Sequence, residues 1–241
     1  MLLLALDTAT LHGSVAVLRG EAGPDAPAVT VLGRAEAIVT THSDMLLGLV
    51  AEALRQASLA PSALEAIVCG AGPGSFTGLR IGLCTAKGLC LATGAPLVMA
   101  SSLRALALKA APQAAGALMV ALLDAKKGEV YGGFYRGPAA GPTSPEVAMP
   151  PAAFARHAAA VAAGAPVCCC GDRGGAGAVD LEREVPQGRW AGAGPVPDTP
   201  GALEVARLGL ERLAIHGPDD LASAVPTYLR PSEAELRRGG A

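Results

Sequence analysis

The residues whose types and spacing suit chemistry begin with Asp7-Thr-Ala-Thr10, an acid followed by hydroxyls. A carboxylate closing an apolar run can hold a cation or water, or simply accept neighbouring backbone N–H groups. Ala9 adds a methyl where a phosphate cradle needs bare backbone, so Asp7, Thr8 and Thr10 look degraded as a nucleotide turn. A second group is the loop Gly70-Ala-Gly-Pro-Gly-Ser-Phe-Thr-Gly78. A glycine-rich turn that opens a helix presents free N–H groups and the positive end of the dipole to an anion. The loop lacks the closing Gly-Lys-Ser/Thr of a Walker motif, its nearest lysine being Lys87, and no acid follows at the ribose distance of a dinucleotide fold. Gly72, Gly74 and Ser75 therefore join Asp7, Thr8 and Thr10 as a degenerate phosphate loop.

Histidines and cysteines add little. His12, His42, His157 and His216 are scattered, with no nucleophile elbow beside them, so no catalytic residue is assigned. His42, next to Ser43 and Asp44, has no second histidine four residues on and reads as a cap or interface residue. Cys69, Cys84, Cys90 and the run Cys168 to Cys170 contain no C-x-x-C pair. Adjacent cysteines on a strand face opposite ways, so buried thiols are expected and no metal site.

The elements that must position these residues follow from periodicity. Leu2 to Leu6 and Ser14 to Leu18 predict two strands joined by a tight hairpin-like turn, with a third over Val29 to Val39. A helix is expected from Ser43 to Ser58, apolar at Met45, Leu46, Leu49, Val50, Ala53, Leu54 and Ala57, and capped by Thr41 or Ser43. The strand Ala66 to Gly70 feeds the glycine loop, and a second helix runs from Thr77 to Ala92. After Thr77 its polar residues are chiefly Arg80, Thr85 and Lys87, and a helix apolar nearly all round is covered on more than one side. Gly78, Gly82 and Gly88 each cost this helix roughly 1 kcal/mol against alanine. Close approach of another element, or of a second chain, would compensate.

Further on, Leu97 to Ala100 predicts a strand and Ser102 to Ala111 a helix. Ala117 to Leu123 and Glu129 to Tyr135 predict a hairpin about Asp124-Ala-Lys-Lys-Gly128. A loop from Gly137 to Pro151, a helix from Ala152 to Ala163, a strand from Pro166 to Cys170 and a helix from Gly201 to His216 complete the chain, with Gly171 to Pro200 unassigned. The order predicts an α/β protein of two lobes, each a mixed sheet flanked by helices, divided as 1–103 and 104–241.

Composition narrows the function classes. With 51% hydrophobic and 17% charged residues over 241 positions, the chain buries a large core and is not of the disordered class. Aromatics make up 3%, which excludes a row of rings for stacking bases. A net charge of −2 gives no footprint for a polyanion, so any RNA contact is expected to be shared with a partner. The apolar opening Met1 to Leu6 has no basic leader and stops at Asp7, and no other run approaches a membrane span, so a soluble, cytoplasmic protein without membrane contact is expected.

Taken together, Leu4-Ala-Leu-Asp-Thr-Ala-Thr10, Thr41-His-Ser-Asp-Met-Leu-Leu47, Gly72-Pro-Gly-Ser-Phe-Thr-Gly-Leu-Arg-Ile-Gly82, Ala86-Lys-Gly-Leu89, Ser101-Ser-Leu103, Asp124-Ala-Lys-Lys-Gly-Glu-Val-Tyr131 and Pro226-Thr-Tyr-Leu-Arg230 resemble the bacterial TsaB (YeaZ) family. The resemblance implies an actin-like (ASKHA, ribonuclease H-like) fold, whose kinases and ATPases carry Asp-x-Gly-Thr where this chain has Asp7 to Thr10. It implies a scaffold role in forming N6-threonylcarbamoyladenosine at position 37 of tRNAs that read ANN codons. The implied partners are the catalytic paralogue TsaD, the ATPase TsaE, and tRNA through the complex, with a homodimer when the chain is alone. Pairing through the two helices of the first lobe would use His42, Ser43, Met45, Leu46, Leu49, Gly78, Arg80, Ile81, Gly82 and Thr85. TsaD resembles Asn-His-x-x-x-His where this chain reads Ser101-Ser-Leu-Arg-Ala-Leu106, so Ser102 and Leu106 stand at the histidine positions, and neither replaces imidazole. The implication is a non-catalytic subunit without a cofactor of its own, with metal and nucleotide on its partners. The alternatives are an independent ATPase or peptidase-like hydrolase resting on Asp7, Thr8 and the Gly72 loop, or a nucleotide-binding regulatory module.

Overall fold

The computed structural model describes residues 1–38, 45–173, 175–191 and 199–230. In chain order, β1 (Leu2–Asp7), β2 (His12–Gly20) and β3 (Val29–Ile38) lead to α1 (Leu46–Ala57), β4 (Ala66–Gly70), α2 (Phe76–Thr93) and β5 (Leu97–Ala100). Then come α3 (Ser102–Ala114), the hairpin of β6 (Leu118–Lys126) and β7 (Glu129–Arg136), and the short strands β8 (Gly141–Pro142) and β9 (Val147–Met149). After these follow α4 (Pro151–Ala162), β10 (Val167–Gly171), α5 (Ala176–Glu184), β11 (Arg189–Trp190) and α6 (Ala202–His216).

The first sheet has the order β3-β2-β1-β4-β5, and the second β11-β10-β6-β7-β8, with β9 also on β7. The β1–β2–β3 meander is antiparallel, whereas β4 and β5 add in parallel because a helix separates each from the strand before it. The second sheet repeats the plan, with an antiparallel β6–β7 hairpin and β10 parallel to β6.

Strand alternation divides the side chains into layers. Leu4, Leu6, Val15, Val17, Ile67 and Cys69 pack with α1 and α2 on one face of the first sheet. Leu3, Ala5, Leu18 and Val68 point the other way, onto α3 and α6. That same cluster continues into Met119, Ala121, Tyr135, Cys168 and Cys170 of the second sheet, while Leu118, Val120, Phe134 and Cys169 face α4 and α5. Cys169 and its two cysteine neighbours do point to opposite faces. Burial raises the thiol pKa values of Cys69, Cys90, Cys168 and Cys169, the last being pushed up to about 12.

Helices α3 and α6 thus form a layer shared by both sheets. Gly209 lets α6 lie against β4, since a Cβ there would stand 2.4 Å from Val68 Cγ1. Arg104 of α3 pairs with Glu211 of α6 at 2.8 Å and donates to the carbonyls of Ala139 and Ala140, which ties the layer to the second sheet.

The differences from the sequence reading are local. Helix α1 starts at Leu46, with Met45 at its N-cap making no side-chain bond; Thr41 and Ser43 lie outside the described residues. Helix α3 continues through Pro112 to Ala114. The expected loop after Gly137 contains β8 and β9, and the unassigned stretch contains α5 and β11. These pieces are short or weakly periodic, so the local pattern carried little signal for them.

Candidate functional site

Strands β1, β4 and β5 end side by side, and Asp7, the glycine loop and the start of α3 meet there. Asp7, Thr8 and Ser102 are completely buried. Ser102 donates its hydroxyl to Asp7 Oδ2 at 2.5 Å, and the Ala9 N–H donates to Oδ1 at 2.9 Å, so both carboxylate oxygens are engaged. Ser102 is held in turn by the loop: the Gly72 N–H donates to its Oγ at 3.2 Å, and its own N–H donates to the Gly72 carbonyl at 2.8 Å. Gly70 leaves the room this requires, because a Cβ there would fall 2.0 Å from Asp7 Oδ2.

The glycine loop closes on the first turn. Ser75 caps α2 by accepting the Gly78 N–H at 3.2 Å, and its own N–H donates to the Ala9 carbonyl at 2.7 Å. A Cβ on Gly74 would stand 2.3 Å from the Ala9 oxygen, so the glycine is required by backbone packing. Thr8 donates to the Gly78 carbonyl at 2.8 Å. Thr10 accepts the His12 N–H at 3.1 Å, and His12 Nδ1 lies 3.2 Å from Thr199 Oγ1, which makes these turn residues. The Asp7, Ser102 and Ala9 groups at the centre of this junction therefore bind one another.

Beside it, α1 and α2 lie on the first sheet, and among the described residues part of the outer side of each is exposed. On α1, Met45 and Leu47 are 47% and 63% exposed, with Gly48 and Ala51 also at the surface. On α2, Thr77, Arg80, Cys84, Gly88 and Leu91 recur at helical spacing, all exposed, Leu91 at 77%. A Cβ on Gly48 or Gly88 would meet nothing within 4 Å.

Several predicted partner-binding residues are placed otherwise. Leu46 is 1% exposed within the core that α1 makes with the sheet, and Leu49 and Ile81 are half-buried against it. Gly78 and Gly82 turn inward: a Cβ on Gly82 would stand 2.2 Å from Thr8 Oγ1. Their compensation is close approach to β1 of the same chain, which corrects the expectation that these two glycines open α2 to a second chain. Thr85 is half-buried, Met45 and Arg80 are on the surface, and His42 and Ser43 lie outside the described residues. Leu47, Gly48, Ala51, Cys84 and Leu91 were not assigned to partner binding, nor was Gly88, although all lie outside the buried positions 46, 50, 53 and 54 of α1 and 78, 79, 82, 83, 86 and 90 of α2.

A final element crosses the site. Residues 219–230 leave the edge of β5, where Asp219 bridges to Leu97 and pairs with Arg212 at 2.6 Å. The segment passes the glycine loop, with the Thr227 N–H donating to the Ala71 carbonyl at 2.8 Å, and ends with Arg230 3.4 Å from Glu129 of the β6–β7 hairpin. Arg230 is thus tied down within the protein rather than lying in a free tail.

The chain is similar to known proteins in sequence and fold. The family model for TsaD, tRNA N6-adenosine threonylcarbamoyltransferase, matches residues 36–140. The tRNA threonylcarbamoyladenosine biosynthesis protein TsaB of Haemophilus influenzae is 38% identical over 130 residues, covering 54% of this chain and 51% of that protein. The chain spans about half the length of the curated relatives it matches. YeaZ from Pseudomonas aeruginosa superposes with a TM-score of 0.73 at 27% identity, over 95% of this chain and 99% of that one. Component A of the (R)-2-hydroxyglutaryl-CoA dehydratase of Acidaminococcus fermentans, 11% identical, superposes with a TM-score of 0.50 over 89% of this chain and 99% of that one, a likeness of fold alone.

Proposed function

We propose that the chain is a member of the TsaB (YeaZ) family, to which it is similar in sequence and fold, and that it is a non-catalytic scaffold in tRNA threonylcarbamoyladenosine formation. It docks the catalytic relative TsaD on the outer sides of α1 and α2, supports TsaE within the same complex, and contacts tRNA only through that complex. Alone, it forms a homodimer through the same face.

The observation that carries the reading is the exposure of Met45 and Leu47 on α1 and of Leu91 on α2, with two exposed helix glycines, Gly48 and Gly88, that nothing among the described residues explains. Apolar patches of this kind mark interaction sites, and bare glycines let a second backbone approach closely. The state of the strand-end junction supports a non-catalytic role. Ser102, at the position of a TsaD histidine, spends its hydroxyl on Asp7, and Leu106, at the other, is completely buried between the sheets. Metal and nucleotide are therefore assigned to the partners.

The test is reconstitution of tRNA modification with TsaD and TsaE, with and without this chain, alongside the variants Leu47→Asp and Leu91→Asp. Both positions are exposed, so the variants should fold, yet each would place an unpaired charge inside the interface. Folded variants that still bind TsaD and support full modification would remove the proposed surface.

A further inference from the structure

The C-terminal strap, residues 219–230, meets α2 at the end of the proposed docking face. Tyr228 lies against Phe76, with ring centroids 5.0 Å apart, and its hydroxyl accepts the Arg80 Nε–H at 3.0 Å. The Arg80 guanidinium sits 4.0 Å from the centre of the Phe76 ring. Among the described residues the partners of Arg80 are this hydroxyl and these rings, and no carboxylate pairs with it. An exposed arginine usually samples many rotamers; this one is held by a ring contact from Phe76, one turn earlier on α2, and by a hydrogen bond to Tyr228, far along the chain. It stands one turn before Cys84 on the exposed stripe of α2, contiguous with Gly88 and Leu91. The strap that fixes it is itself anchored, through Asp219 and Met99 on one side and Arg230 and Glu129 on the other.

We propose that Tyr228 is a positioning residue that holds Arg80 as a preformed cationic anchor at the rim of the docking face, for a carboxylate on the partner subunit. The proposal rests on the docking reading above and deepens it. A guanidinium held in place loses less entropy on forming a paired bond with a carboxylate than a free one does, so affinity is gained without a new contact at Tyr228 itself.

The experiment measures binding of the full chain to the TsaD homologue of the same organism by calorimetry, at low and high ionic strength. Arg80→Gln should weaken binding about tenfold and flatten its salt dependence. Tyr228→Phe keeps the ring but removes the acceptor, and should weaken binding about two- to fivefold with an unchanged melting temperature. The combined variant should bind no more weakly than Arg80→Gln alone, because Tyr228 acts only through Arg80. Additive losses, or a Tyr228→Phe chain that binds like the wild type, would overturn the proposal while leaving the docking reading intact. A wild-type chain that does not bind TsaD would overturn both.

Discussion

A buried carboxylate is tolerable only with donors, and Asp7 draws its donors from Ser102, far along the chain, and from the Ala9 amide two residues away. Ser102→Ala should therefore cost about 1–3 kcal/mol in urea unfolding, because the acid stays buried and loses a hydroxyl. The neighbouring Ser101 serves a second acid: it donates to Glu146, which also receives the Tyr135 hydroxyl at 2.7 Å. Burial pushes the Glu146 carboxyl above its ordinary value of 4.5, against these two donors and Arg104. A raised folded-state value favours the protonated acid, so its stabilising share is complete below pH 4.5 and is lost as pH rises through the raised value. Glu146→Gln does not titrate. Its stability relative to the wild type should climb as pH increases from 4.5 and then level off; a difference independent of pH would refute this account. The Asp7 turn was legible as a turn closing the first strand because its residues are adjacent. The Ser102 and Glu146 bonds were not, since each joins residues brought together only by tertiary packing.

Helix α2 shows how far a pattern can be read in one dimension. Its near-continuous apolar character called for cover on more than one side, whereas a stripe from Arg80 through Cys84 and Gly88 to Leu91 is exposed in the structure; its glycines called for close neighbours, but the sequence does not say on which side each glycine falls. A Cβ on Gly82 would meet Thr8 within the chain, while one on Gly88 would meet nothing among the described residues. The two should answer alanine in opposite ways. Gly82→Ala forces a methyl against the Thr8 hydroxyl and should destabilise by about 1–3 kcal/mol. Gly88→Ala adds a methyl in open space and should stabilise the isolated chain by roughly 1 kcal/mol through helix propensity, yet weaken association if a partner backbone lies against that point. Thermal melts of the two variants, together with TsaD binding by the second, check both directions. A Gly88→Ala chain that is more stable and binds as tightly as before would show that the partner does not approach there. Short strands such as β8 and β9 escaped the pattern entirely, because two or three residues do not display a period.

The division at residue 103 separates two sheets, but the layer between them belongs to both. Leu103, Leu106 and Leu108 of α3 and Val205, Leu208 and Leu210 of α6 share one cluster with Leu3 and Val68 on one side and Met119 and Cys170 on the other. The α6 part of this layer packs on every strand of the first sheet and comes late in the chain, so the first sheet lacks most of its inner cover until α6 has returned to it. Neither sheet can then lose its structure without exposing the apolar face of the other, and the chain should unfold as one unit. Trp190, the single tryptophan, lies on β11 at the far edge of the second sheet and reports that region, whereas amide exchange in β1 and β4 reports the first. Fluorescence and exchange should give coincident denaturant midpoints. Leu106→Ala, at a completely buried position in the shared layer, should lower both midpoints together at a cost of about 2–5 kcal/mol. If the tryptophan transition moved while protection in β1 and β4 stayed in place, the sheets would be separable units, and the strap from Asp219 to Arg230 would be tying together lobes that fold alone.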